Sequence, residues 1–112
     1  EKPPFGVPGL ETTLPLLLTA VNDGRLTLER LIELTSANPR RIFNLPKQSE
    51  TFTEIEFTKP YTLNPIPLYT KAGWTPFAGV KVTGRVKRVV LRDKTVFDGS
   101  VIPEPLGQIL KP

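Results

Sequence analysis

The hydropathy pattern of this chain changes period once, near its middle, and that change decides what it can fold into. From Leu10 to about Leu45 the apolar residues recur at helical spacing; from Thr51 to Val101 they alternate, as in half-buried strands. Helices followed by strands, with no alternation of the two, make a mixed α/β unit with its helical and sheet parts segregated. The 112 residues are enough for one domain, and a segment of a larger one has the same length and pattern. Thirteen prolines are spread along the sequence, so they add rigid corners without making it low-complexity.

The helical part opens with the loop Phe5-Gly6-Val7-Pro8-Gly9. A first helix is expected to start near Thr12 or Thr13, either of which can serve as a side-chain N-cap, with Pro15 close enough to the start to be tolerated. Leu14, Leu16, Leu17, Leu18, Ala20 and Val21 leave little polar face, which predicts burial on most sides; Gly24 then ends the helix in a left-handed conformation. A second helix is predicted from Thr27, its N-cap, to Ala37, and a separate short third one over 38–46, with Asn38 as N-cap, Pro39 in the first position and Ile42, Phe43 and Leu45 buried.

In the second half, Thr53 to Phe57 alternates as a strand ending before Lys59-Pro60, and Leu63 to Leu68 is an edge or loop because of Pro65 and Pro67. The longest strand signal runs from Val80 to Arg92. Asp93-Lys94 is expected to turn the chain, and Asp98-Gly99 to form a type I′ hairpin turn between Thr95-Val96-Phe97 and Ser100-Val101. Three prolines and a glycine make residues 103–112 a departing linker.

The chemical inventory is narrow. With no Cys and no His the chain has no thiolate, no imidazole base and no zinc site with the usual ligands, and it can form no disulfide. Lys81, Arg85 and Lys87 share a strand face, but a solvated outer face produces the same arrangement. With a net charge of only +4 and no interleaved aromatics, no nucleic-acid partner is expected. Arg40-Arg41 could clamp an anion, although one arginine capping or pairing with a neighbouring element and the other exposed is the plainer reading. Glu54 and Glu56 share a face opposite Ile55, where exposure leaves neither as a general acid. Gly6-Val7-Pro8-Gly9 lacks the spacing of a phosphate loop, and Trp74 suits a satellite core. No catalytic constellation and no metal site are expected in this chain; no apolar run spans a membrane and no export signal is visible, so a cytoplasmic location is expected.

Three blocks carry a family likeness: Phe5-Gly6-Val7-Pro8-Gly9-Leu10-Glu11-Thr12 running on to Val21, Asn38-Pro39-Arg40-Arg41-Ile42-Phe43, and Trp74-Thr75-Pro76-Phe77-Ala78-Gly79 running on to Gly84. In this order they resemble the C-terminal part of the dihydroorotase domain of the multifunctional pyrimidine-synthesis polypeptide, over residues 3 to 102. The resemblance implies the last part of a (β/α)8 amidohydrolase barrel, helical over 10–45, plus returning strands of a small β-sandwich-like subdomain over 51–102. Residues 1–9 would be the loop after the last barrel strand, 10–46 the barrel-closing helices, 47–102 the β subdomain and 103–112 the start of an interdomain linker.

Its implied partners are the rest of the same polypeptide, namely the barrel and the carbamoyl-phosphate synthetase and aspartate transcarbamoylase parts, in a homo-oligomer, without nucleic acid or membrane. Active relatives use a binuclear zinc centre whose ligands would all precede Glu1, so no cofactor is expected in this chain. The backbone of Phe5, Gly6 and Val7 would hold the substrate carboxylate if the parent is active. Asn44 and the segment Thr27-Leu28-Glu29-Arg30 fit the fungal form, in which the domain has lost catalysis, and this favours an architectural role. The alternatives are part of an active zinc-dependent dihydroorotase, interconverting carbamoyl aspartate and dihydroorotate, and an autonomous small binding module.

Overall fold

The computed structural model describes residues 5–64 and 68–110. Three short helices, α1 (Thr13–Asn22), α2 (Leu28–Ile32) and α3 (Asn38–Ile42), precede a three-stranded antiparallel sheet of β1 (Phe52–Thr62), β2 (Lys81–Leu91) and β3 (Lys94–Asp98), in the order β1-β2-β3. The segregated helix-then-strand order is that of the hydropathy pattern. Expectations for Glu1 to Pro4, for Pro65 and Pro67, and for Lys111 and Pro112 lie outside the described residues.

The start of α1 is built differently from a capped helix. Thr12 accepts no capping bond; instead the Thr12 and Thr13 hydroxyls donate backward to the Gly9 carbonyl, at 3.3 and 2.7 Å, beside the backbone N–H groups of the same two residues. Its end is as expected. Gly24 sits at φ +72°, with Gly24 N–H on the Val21 carbonyl and Arg25 N–H on the Ala20 carbonyl, the bonding of a Schellman motif. Thr27 caps α2, its hydroxyl accepting the Arg30 N–H at 3.1 Å.

Asn38 does not cap a new helix. It is itself helical (φ −69°, ψ −46°), and α2 runs into α3 through a π turn over Glu33–Ala37. The reason is Pro39, whose ring would collide with the Thr35 carbonyl in a regular α-helix; the wider turn relieves that contact and the helix continues. The joined helix ends on Asn44, at φ +50°, with Asn44 N–H on the Arg41 carbonyl and Leu45 N–H on the Arg40 carbonyl. It is a second Schellman motif, with Asn in the left-handed position.

The sheet departs from the simple pattern at its irregularities. β1 does not stop before Pro60: the register passes from Phe57↔Gly84 to Tyr61↔Val82, so Thr58, Lys59 and Pro60 stand opposite Thr83 alone and the proline is lifted out of the ladder. A second shift, from Glu54↔Arg88 to Ile55↔Val86, leaves Lys87 as the extra residue of β2. It moves Arg88 onto the face of Arg85, so Val86, Val89 and Leu91 all line the other face. The tight hairpin turn is Arg92-Asp93, both at positive φ (+49° and +63°) and closed by the pair Leu91↔Lys94. This is the type I′ position, one residue before the expected Asp93-Lys94 turn. Asp98-Gly99 turns the chain too, but only into the single bridge Phe97↔Val101.

The core lies between α1 and β2. Leu18 and Val82 are fully buried, with Leu31, Leu63 and Val90 nearly so. Helix and strand meet at Gly84, where an added Cβ would lie 2.4 Å from the Leu18 Cβ. β3 pairs with β2 only from Arg88 onward, and the Thr83 N–H nearer the other end of β2 is taken by the Thr19 hydroxyl of α1 at 2.9 Å. The expected burial of α1 is met in part: from Leu14 to Val21 every residue is buried or half-buried, and only its ends, Thr13 and Asn22, are exposed. Pro15 and Leu18 are its fully covered residues, with β2 packed on one side and α2 making a smaller contact. By contrast Ile42 and Phe43, expected inside, are each 66% exposed.

Candidate functional site

The residues that the sequence brings closest to chemistry lie where the Phe5–Gly9 loop enters α1. Gly6 has φ +87°, a conformation open to glycine, and among the described residues the peptide groups of Phe5, Gly6 and Val7 have no hydrogen-bond partner. The loop is therefore able to present backbone donors. On its C-terminal side it is fixed by the knot of four bonds on the Gly9 carbonyl, and two residues further on by Glu11. The Glu11 carboxylate accepts the backbone N–H groups of Tyr69 at 2.8 Å and of Thr70 at 2.7 Å. Tyr69 in turn accepts the Val101 N–H on its hydroxyl at 3.1 Å. Sequence reasoning passed over Glu11 as part of a motif; its only local signal is a carboxylate between a turn and an apolar helix.

Beside this junction the inner face of the sheet and the start of α1 enclose a concavity of about 1330 Å³. Its walls include Leu10, Leu14, Val86, Val89, Phe97 and Leu106, so it is apolar, with Tyr61, Glu11 and Arg85 among its polar edges. Tyr61 donates its hydroxyl to the Gly84 carbonyl at 3.0 Å. Burial pushes the phenol above its usual pKa, against the opposing charge of Arg85. The described tail is held against the β2–β3 turn: Arg92 donates to the Leu106 carbonyl, and Lys94 pairs with Glu104 at 3.3 Å.

The charged candidates resolve into structural pairs. Arg88 makes a two-pronged contact with Glu54, at 2.6 and 3.1 Å, and lies 5.8 Å from the Phe52 ring centroid; Arg85 pairs with Glu56. The Arg88 hydrogen bonds hold the Glu54 carboxyl below the usual range, against a smaller opposing effect of burial, which is the wrong direction for a general acid. Arg40 and Arg41 are both exposed, and among the described residues neither forms an ion pair. The expectation that one of them pairs with a neighbouring element is corrected: what they contribute is their carbonyls, to the helix-ending motif, and positive charge at a helix C-terminus. Trp74 is half-buried beside the buried Thr75.

A zinc centre would need several nitrogen, sulfur or carboxylate ligands converging. Among the described residues no group of three His, Cys, Asp or Glu side chains comes together, so this chain's own residues do not fit such a centre. No helix among the described residues is long and apolar enough to cross a membrane.

No protein-family model matches the chain. Known proteins do. It is 51% identical over 104 residues to the multifunctional protein pyr1-3 of Dictyostelium discoideum and 49% identical over 106 residues to the multifunctional protein CAD of Squalus acanthias, covering 92% and 94% of this chain and 5% of each relative. It is 38% identical over 110 residues to the dihydroorotase of Pyrococcus furiosus, covering 92% of this chain and 27% of that protein. Two solved structures align with it. The L-hydantoinase (dihydropyrimidinase) of Arthrobacter aurescens does so over 96% of this chain and 26% of its own, with TM-score 0.90 and 30% identity. The inactive dihydroorotase-like domain of a CAD-like multifunctional protein from Chaetomium thermophilum aligns over 84% of this chain and 27% of its own, with TM-score 0.70 and 39% identity.

Fold and sequence together identify the chain as a piece of an amidohydrolase domain of the dihydroorotase and hydantoinase kind. More narrowly, it is homologous to the dihydroorotase region of the multifunctional pyrimidine-biosynthesis proteins, and spans about a twentieth of their length.

Proposed function

We propose that this chain is the C-terminal segment of a dihydroorotase-type domain in a multifunctional pyrimidine-synthesis polypeptide, and that its part there is architectural. The observation that carries this reading is the apolar surface left open by a chain with a well-packed α1–β2 core. Ile32, Ile42 and Phe43 are more than half exposed, and the concavity beside α1 is walled by leucine and valine. Apolar surface of that extent belongs against another part of the same domain. On this reading residues 1–9 follow the last barrel strand, 10–46 close the barrel, 47–102 form the β subdomain and 103–112 begin a linker. The partners are the barrel, synthetase and transcarbamoylase parts of one cytoplasmic, oligomeric polypeptide.

The test compares the isolated chain with the complete domain in urea unfolding and dye binding. The architectural reading expects the isolated chain to bind a hydrophobic dye and to unfold without cooperativity, and the complete domain to do neither. Cooperative unfolding of a dye-silent, monomeric isolated chain would instead make it an autonomous binding module.

A second reading, that the complete domain is catalytic, is supported by the 38% identity with a protein named for that activity, the dihydroorotase of Pyrococcus furiosus. Asn44 and Thr27, which pointed toward the inactive form, are accounted for as helix-ending and helix-starting residues. On this reading the peptide groups of Phe5, Gly6 and Val7 would hold the substrate carboxylate, and any metal the reaction uses would be held by residues elsewhere in the polypeptide and would supply Lewis-acid chemistry there. Stoichiometric zinc together with hydrolysis of dihydroorotate by the complete domain supports it; absence of both establishes the non-catalytic form.

A further inference from the structure

We propose that Glu11 is a positioning residue for the carboxylate-holding backbone of Phe5–Val7, anchoring that loop to the Tyr69–Thr70 segment of the β subdomain. The proposal rests on the catalytic reading above. A carboxylate that accepts two consecutive peptide N–H groups, one on each oxygen, makes a pair of charge-assisted bonds that fixes both distance and orientation. Its partners lie 58 and 59 residues away, so the bonds tie two separate parts of the fold.

The coupling to the loop is short and stiff. Glu11 sits inside the turn whose first carbonyl, Gly9, is held by both the N–H and the hydroxyl of Thr12 and of Thr13, so the turn moves as one body. Only Pro8, with its backbone angle φ fixed by the ring, separates that turn from Val7. The segment on the other side of the clamp is itself braced, since the Tyr69 hydroxyl accepts the Val101 N–H beyond β3. Releasing Glu11 frees the turn from this brace and lets the peptide groups of Phe5–Val7 drift from where a bound carboxylate meets them. Such a loss weakens binding of an anionic cyclic ureide more than it slows the chemical step.

The experiment uses the complete metal-loaded polypeptide, with dihydroorotate as the probe, and compares wild type with Glu11→Ala and Glu11→Gln. Glu11→Ala should raise KM about tenfold while kcat stays within about twofold. Glu11→Gln keeps one oxygen acceptor and should raise KM by a smaller factor, which also keeps the test decisive where Glu11→Ala does not fold. Amide exchange should quicken at Tyr69 and Thr70 and, in step with them, at Gly6 and Val7. Unchanged KM in a folded variant whose Tyr69 and Thr70 amides exchange faster overturns the positioning role and leaves Glu11 a structural clamp. A wild-type polypeptide that neither binds nor hydrolyses dihydroorotate overturns the catalytic reading itself, and the positioning role falls with it.

Discussion

A single methyl group at Gly84 tests how α1 is held on the sheet. In Gly84→Ala the new Cβ would lie 2.4 Å from the Cβ of Leu18, 2.9 Å from its Cδ1 and 3.2 Å from its Cγ. Carbon atoms rest about 3.5 Å or more apart, so helix and strand must separate by roughly 1 Å. That separation takes the Thr19 hydroxyl, now 2.9 Å from the Thr83 N–H, to about 4 Å, beyond hydrogen-bond reach. Overpacking with backbone shift costs about 1–3 kcal/mol. The stranded amide adds about 1 kcal/mol, for an expected loss of roughly 2–4 kcal/mol. Urea unfolding of the complete domain, followed by circular dichroism, reads this directly. A companion substitution sharpens the test: because the nearest atom is the Leu18 Cβ, which alanine retains, Leu18→Ala in the Gly84→Ala background should add its own destabilisation and rescue nothing. A loss below about 0.5 kcal/mol for Gly84→Ala would refute the close contact as the cause.

Three further outcomes follow from the same geometry. Thr19→Val removes the acceptor of the Thr83 N–H and should cost about 1–2 kcal/mol with faster exchange of that amide, whereas Thr19→Ser should be close to neutral. At Asn44, held at φ +50°, Asn44→Gly should change unfolding free energy by less than about 0.5 kcal/mol, while Asn44→Val should lose about 1–2 kcal/mol; equal effects would rule out a left-handed requirement. Arg88 lowers the Glu54 carboxyl pKa, so the stabilisation from this pair is fully present above the ordinary carboxylate pKa and is lost as pH falls through the depressed value. NMR titration of Glu54 should therefore move upward in Arg88→Ala, and an unmoved titration would show that Arg88 is not the cause.

Features set by a few neighbouring residues were legible in advance; those set by pairing across the sheet were not. Gly24 as a left-handed helix end and Thr27 as a cap are local decisions, and both stand. Asn38-Pro39 carries an equally good local start signal, yet the helix runs on through it, with the π turn absorbing the proline. Asp98-Gly99 is the stronger turn dipeptide, but the ladder closes at Leu91↔Lys94, and that places the tight turn on Arg92-Asp93. Nor does alternation reveal the extra residue Lys87. A bulge shifts the phase of the pattern, and the apolar run Val89-Val90-Leu91 hides the shift, since either phase puts an apolar residue on both faces.

The same division holds at the site. The expectation that Ile42 and Phe43 belong inside was sound as a statement about their chemistry, since side chains of that size at helical spacing require a cover; periodicity says that a face is buried and is silent about what buries it. Glu11 is the opposite case, a polar residue whose partners are named by no residue type at all. Backbone N–H groups are the same at every position other than proline, so no pattern in Tyr69 or Thr70 marks them as its acceptor's target. A carboxylate placed just before an apolar helix reads as a favourable charge near the helix dipole. Only the fold, by bringing residues 69 and 70 back beside the Gly9 turn, converts that charge into a tether between the loop at the start of the chain and the sheet at its end.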